Sequence, residues 1–435
     1  MSKAGRRDQG SALRKTLVLF LMLCPSICFG YSFLTHEQLI DLAWEPSIKP
    51  LLLARFPHTT PAQLRDAHAY AYGGSAIQDA GYYPFGHGFF SDLTHYVRTG
   101  DFISIMIHDA RDADELAFAL GALSHYLGDT IGHSDAVNPS TAIEFPNLGK
   151  KFGPVVTYDE SPHAHVRTEF AFDIDQLSQA RFTPAAYLRH VGLKIPLRLL
   201  DQAFYETYGL HLNKVLGKVE PAMKSYRSSL RSFLPRFAYA EVLLHKKNFA
   251  SDPDSPEFEK FAARLKLASV ENNWEIYRQH KPSFETRMVA ALIFILPKVG
   301  PLSYLSIRGP NPETELKYVT SVNRVIDIYA KLLDQLRQTG QDGFHVDNYD
   351  LDTGNIIEPG TYPRTDKTYT QLLGRIANDP NPHIPRDLKQ NVLDFYADPY
   401  TPITTKKDTR KWEKVQKELT ALQESVSKSQ MMSSK

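Results

Sequence analysis

Cysteine is nearly absent: two in 435 residues, Cys24 and Cys28, both within the first thirty positions. That excludes a disulfide-stapled scaffold and a thiolate metal site, so any metal here must be held by histidines and carboxylates. An excess of charge of one sign is also missing, with 50 Lys and Arg against 49 Asp and Glu. Composition therefore makes no case for a nucleic-acid binder. Long apolar runs are missing too; the longest near the start, Leu17 to Leu23, is too short to span a bilayer. Alternating strand patterns, a βαβ rhythm and internal repeats are not found either. What remains is an ordinary globular balance, 42% hydrophobic and 23% charged, with length enough for a large core.

The first thirty residues stand apart. Lys3, Arg6, Arg7, Arg14 and Lys15 precede the apolar run, and the segment closes on Ser26-Ile-Cys-Phe-Gly30. A basic start, a short apolar stretch and a small residue before a cut predict a signal peptide over 1–30, cleaved after Gly30. Retention as an N-terminal anchor is the alternative. Cleavage leaves a cysteine-free chain with 45 basic and 48 acidic side chains, net −3. The expected location is secreted or periplasmic.

The rest predicts an all-α protein. Glu37 to Trp44, Ala113 to Ile131, Leu197 to Tyr208, Phe258 to Leu267, Thr314 to Leu336 and Trp412 to Ser427 carry apolar residues at helical spacing. Asp112 with Glu115 predicts a capping box on the second of these. Stretches rich in Pro, Gly and Asp at 134–162, 251–256, 297–313 and 341–366 predict loops. A catalytic domain is expected over 31–270 and a helical C-terminal extension over 271–435.

Histidines are unevenly placed: ten of sixteen fall between His36 and His165. His125-Tyr-Leu-Gly-Asp129-Thr-Ile-Gly-His133 sets three candidate ligands at i, i+4 and i+8, one face of a helix. A single His/Asp pair at this spacing is common helix stabilisation. Three such groups on an otherwise apolar helix are different, because burying them unpaired costs roughly 1–3 kcal/mol each. Metal binding is the reading that resolves this cost. His165-Val-Arg-Thr-Glu169 repeats the device, and Asp79 and His95 lie upstream. The remaining histidines, His68 and His211 among them, are read as surface or core residues.

With these motifs the sequence resembles the zinc-dependent phospholipase C/P1 nuclease superfamily. The resemblance implies an all-helical fold and a cluster of three zinc ions. It also implies that the amine of the mature chain is a ligand, with a histidine five positions on; cleavage after Gly30 yields Tyr31-Ser-Phe-Leu-Thr-His36. Carried over, Asp79, His95, His125 and Asp129 hold one zinc, and His133, His165 and Glu169 a second. Tyr31, His36 and a bridging Asp129 hold the third, and Asp79 is also the catalytic residue that orients water. The chain departs from the family in starting with Tyr31 rather than Trp. It also places three residues, not five, between Asp129 and His133, a spacing more like the glycosylphosphatidylinositol-specific phospholipase D branch.

Weaker signals are fewer. Tyr82, Tyr83, Phe85, Phe89 and Phe90 either cage a choline head group or stack a base, or else pack the core. The apolar stretch Met288 to Leu296 predicts a buried helix. Asp350-Leu-Asp-Thr-Gly354 resembles half of a calcium loop without the downstream Glu, and is read as a surface turn.

The expected function is a secreted zinc phosphodiesterase, a phospholipase C acting on phospholipid head groups with transient contact at a membrane surface. Alternatives are a phospholipase D-like hydrolase and a single-strand nuclease, though no stable nucleic-acid partner is expected. A non-enzymatic envelope module with structural zinc is the alternative from another class; it requires closed coordination.

Overall fold

The computed structural model describes residues 33–245, 254–278, 287–288, 291, 309–379 and 384–433. Within them the chain is helical, and its one β feature is an isolated antiparallel bridge between Tyr349 and Ile356. The principal helices are α1 (Phe33–Ala43), α2 (Pro61–Gly74), α3 (Gly88–Tyr96), α4 (Thr99–Asp109), α5 (Ala113–Gly132) and α6 (Pro162–Ser178). After them come α7 (Leu197–Tyr208), α8 (Pro256–Glu271), α9 (Pro312–Thr339), α10 (Pro363–Ala377), α11 (Arg386–Phe395) and α12 (Thr409–Ser433). Among the described residues, no helix is long and apolar enough to cross a membrane.

Starts and stops follow local chemistry. Thr60 caps α2 in a reciprocal box with Gln63, and Pro61 occupies the first turn, where a missing N–H costs nothing. Asn311 and Pro312 do the same for α9. On α5 only half of the expected box forms: Asp112 accepts from the Glu115 N–H at 2.9 Å. The Glu115 carboxylate reaches past the cap to the Arg111 N–H at 3.0 Å and also pairs with Arg198. Gly209 ends α7 at φ +68, a left-handed conformation that favours glycine.

The centre of the molecule is α5. Leu116, Phe118, Leu120 and Leu123 are fully buried along it. It crosses α2 at very close range, because a Cβ on Gly121 would lie 2.1 Å from the Ala71 carbonyl oxygen. Against its other side lies α9, whose Tyr329 hydroxyl donates to the Leu120 carbonyl at 2.7 Å. Tyr318 of α9 contacts the Thr35 hydroxyl of α1 at 2.9 Å. Helices from beyond residue 270 thus contribute to the same core as α1 to α7.

Two expected loops differ. Residues 134–152 are largely helical: His133–Val137 continues α5 with wider π turns, followed by Asn138–Glu144 and Pro146–Phe152. Pro139 and Pro146 sit in first turns, where proline starts a helix rather than breaking one. Asp350 to Gly354 turns tightly, but Asp350 and Asp352 are buried, not on the surface. The stretch Met288 to Leu296 lies almost wholly outside the described residues, as do Tyr31 and the first thirty positions.

Candidate metal centre

Four helices and one short turn carry the site. Asp173 on α6 receives the Leu34 and Thr35 N–H groups at 3.1 and 3.2 Å, capping the first turn of α1 and fixing His36 one residue later. Asp79 lies in the 3₁₀ turn Ile77–Tyr82, and His95 near the end of α3. His125 and Asp129 project from α5, with His133 at its C-cap where the π turns begin. His165 and Glu169 sit one turn apart on α6. All eight are buried.

They converge on Asp129. Its Oδ1 lies 3.3 Å from His36 Nε2 and 3.9 Å from His133 Nε2. Its Oδ2 lies 3.1 Å from His125 Nε2 and 3.3 Å from His95 Nε2. Asp79 Oδ1 is 3.4 Å from His95 Nε2. On the other flank, Glu169 Oε1 lies 2.8 Å from His165 Nε2 and 3.3 Å from His133 Nε2. Candidate ligand atoms of His36, His125 and Asp129 all lie within 4.8 Å of one another, as do those of Asp79, His95 and His125. A third such group joins His133 and His165 to Asp352.

The rings are aimed from behind. His95 Nδ1 contacts the Ser91 carbonyl at 2.7 Å, His125 Nδ1 that of Ser75 at 3.0 Å, and His133 Nδ1 that of Leu351 at 2.8 Å. A carbonyl can only accept, so each Nδ1 carries the proton and each Nε2 presents a lone pair inward. This is how proteins orient imidazoles towards a metal.

The donor set suits zinc. The Nε2 atoms of His95 and His125 face each other at 3.5 Å, and two inward lone pairs repel unless a metal ion or a proton lies between them. Neither carboxylate oxygen of Glu169 accepts a hydrogen bond, and neither nitrogen of His165 makes one. Burial, with His125 alongside, lowers His36 to about 4. Burial and His133 lower His165 to about 3. Both are therefore neutral at physiological pH, the form that ligates. Burial opposes charge on Asp129, yet His125 and His133 hold its carboxyl well below the usual range. Burial and the neighbouring Asp129 and Asp79 push Glu169 well up, so an added dication would relieve it most.

Residues 35–217 match the family model of zinc dependent phospholipase C. Over this stretch the chain is similar to that family. No curated protein and no solved structure matches the chain. The family is all-α and zinc-dependent, and its chemistry is phosphodiester hydrolysis. The match and the candidate His/Asp metal sites together support a zinc-dependent phosphodiesterase.

Six of the eight described site residues lie on α1, α3, α5 and α6; His133 opens the π turns just after α5, and Asp79 completes the group from its turn. Tyr31, expected as the ninth, lies outside the described residues. Sequence reasoning missed Asp352 and the Leu351 carbonyl, both beyond the family match. The Asp-x-Asp spacing was visible, but nothing local tied it to His133, 218 residues from Leu351 in the case of the backbone contact. Of the aromatics after Asp79, Tyr83, Phe89 and Phe90 pack the core. Tyr82 tilts against His95 at 6.0 Å, while Phe85 is 74% exposed with φ +65.

Proposed function

We propose that this phosphodiesterase is an exported phospholipase C that cleaves phospholipid head groups on the glycerol side of the phosphate. The single observation that carries the reading is the convergence of buried imidazoles and carboxylates on Asp129. Asp79, His95, His125 and Asp129 would hold one zinc, and His133, His165 and Glu169 a second. The third would take His36, Asp129 and the amine of Tyr31, freed by removal of the signal peptide 1–30.

Bound zinc supplies Lewis acidity, drawing charge from a phosphoryl oxygen and making water more acidic. The chain's own residues do the rest. Asp79 accepts the proton of the attacking water and orients it toward phosphorus. The P–O bond to glycerol breaks, phosphorus keeps the hydroxyl oxygen, and the leaving alkoxide takes a proton to become diacylglycerol. Carbonyl-anchored His95, His125 and His133 hold their positions throughout, so little reorganisation accompanies charge development.

Contact with lipid is proposed through Phe85. A bulky side chain at positive φ is a conformational outlier, and Phe85 also presents its ring to solvent. It lies on the turn linking Asp79 to α3, so an inserted ring would bring the bilayer to the site.

Zinc-loaded protein, cut after Gly30, should be incubated with phosphatidylcholine vesicles and, separately, single-stranded DNA. Diacylglycerol and phosphocholine are the expected products. Phosphatidic acid would move the cut to the other side of the phosphate, and nucleotides would make the protein a nuclease; either overturns the reading. Phe85→Ser should hydrolyse vesicles roughly tenfold more slowly, the loss expected from removing one inserted Phe, and leave a monomeric short-chain lipid unaffected. Equal rates on vesicles would remove Phe85 from the interface.

A further inference from the structure

The segment between α9 and α10 lies outside the family match, yet it closes the back of the metal centre. Leu351 touches two of its histidines at once. Its carbonyl accepts from His133 Nδ1 at 2.8 Å, and its N–H donates to the His95 carbonyl at 3.1 Å. The next residue, Asp352, is buried with Oδ1 3.6 Å from His133 Nδ1. Its Oδ2 accepts the Tyr362 hydroxyl at 2.6 Å and the Tyr96 hydroxyl at 2.9 Å.

The turn is held rigidly enough to act as a support. The Asp350 carboxylate accepts the Asp352 and Thr353 N–H groups at 3.0 Å and the Thr365 hydroxyl at 2.6 Å. Asn138 donates to the Asp352 carbonyl at 2.7 Å. Gly354, at φ +71, lets the backbone run so close to α5 that a Cβ would sit 2.5 Å from the Thr130 carbonyl oxygen.

We propose that Asp352 is a positioning residue for the metal centre, a carboxylate from the C-terminal region that acts through His133 to strengthen the hold on zinc. The inference rests on the ligand set proposed above. The geometry places Asp352 on the Nδ1 side of the His133 ring. His133 Nε2 faces Asp129 and Glu169, whereas Leu351 and Asp352 stand on the Nδ1 side. The Leu351 carbonyl accepts a hydrogen bond from the Nδ1–H and so fixes the tautomer. A negative charge 3.6 Å away then makes the inward nitrogen a better donor. The two phenols hold that carboxylate in place through its second oxygen.

The test is chelator competition on the full chain, followed by metal analysis. Asp352→Asn keeps shape and removes charge. It should weaken retention of one zinc by about 10- to 100-fold and leave the others unchanged, the range expected for such supporting groups. The metal-stripped variant should melt at the wild-type temperature, which separates this role from a structural one. Asp334→Asn, an exposed acid on α9, should retain zinc as wild type does. Should Asp352→Asn fold poorly, Tyr362→Phe carries the test, since it removes one of the two phenol hydrogen bonds that fix the carboxylate and should loosen the same zinc several-fold. Wild-type affinity in both variants would overturn the inference while leaving the ligand set intact. A wild-type chain that holds no zinc would overturn both.

Discussion

His68 is a histidine of the crowded window that takes no part in the metal centre, and its burial has a measurable consequence. It is stacked between Trp44, at 3.9 Å, and Tyr72, at 4.6 Å. Burial lowers it to about 3 from an ordinary 6.5. The folded chain keeps it neutral while the unfolded chain takes a proton below 6.5, so stability falls as pH drops from 6.5 toward 3. Asp41, 3.9 Å away and bonded to Tyr72 and Thr183, pulls the other way. Burial raises it to about 7 from 3.8, so the folded chain holds a proton that the unfolded chain releases, and stability falls as pH rises from 3.8 toward 7. His68→Phe preserves stacking and removes only the first effect. Urea denaturation should show stability falling less steeply between pH 6 and 4, by at most about 1.4 kcal/mol per pH unit. Parallel profiles would mean that His68 does not titrate in the folding equilibrium. Individual residues were unequally legible. His125, Asp129 and His133 could be read because helical spacing puts them on one face; Asp79 and His95 stood out only as lying upstream, and they and His36 were assigned as ligands through resemblance to a family. Asp352 was hidden because its partner is supplied by tertiary contact.

Helix contacts decide whether those residues meet. The crossing of α2 over α5 depends on glycines whose missing side chains let backbones touch: Gly74 would set a Cβ 2.0 Å from the Phe118 carbonyl oxygen, and Gly121 one 2.1 Å from that of Ala71. This approach delivers the Ser75 carbonyl to His125 Nδ1. Gly121→Ala should therefore cost about 1–3 kcal/mol, as overpacking does, and also reduce zinc retention. Urea midpoints and metal content check this; unchanged values in both would mean that the crossing yields without disturbing the site. Element positions were readable from apolar periodicity, and Leu197 to Tyr208 matches α7 at both ends. The helices at 133–152 were not, because Pro139 and Pro146 signal a break locally but serve as first-turn residues.

At the scale of the whole molecule, the metal centre draws on both ends of the chain. The far end contributes Leu351 and Asp352, and α9 contributes to the core beneath α5. The near end is proposed to contribute the Tyr31 amine, which ligates only when free and deprotonated. Protein retaining one extra residue before Tyr31 should bind less zinc and turn over more slowly than protein cut after Gly30. N-terminal sequencing with metal analysis checks this, and indistinguishable preparations would exclude Tyr31 as a ligand. The most direct measurement of the central claim is zinc per chain in the wild type and in Asp129→Asn. Four imidazoles meet on that one carboxylate. The expected result is close to three zinc ions in the wild type, with more than one lost from the variant. One zinc or none in the wild type, or a variant that keeps the full complement, would contradict the account.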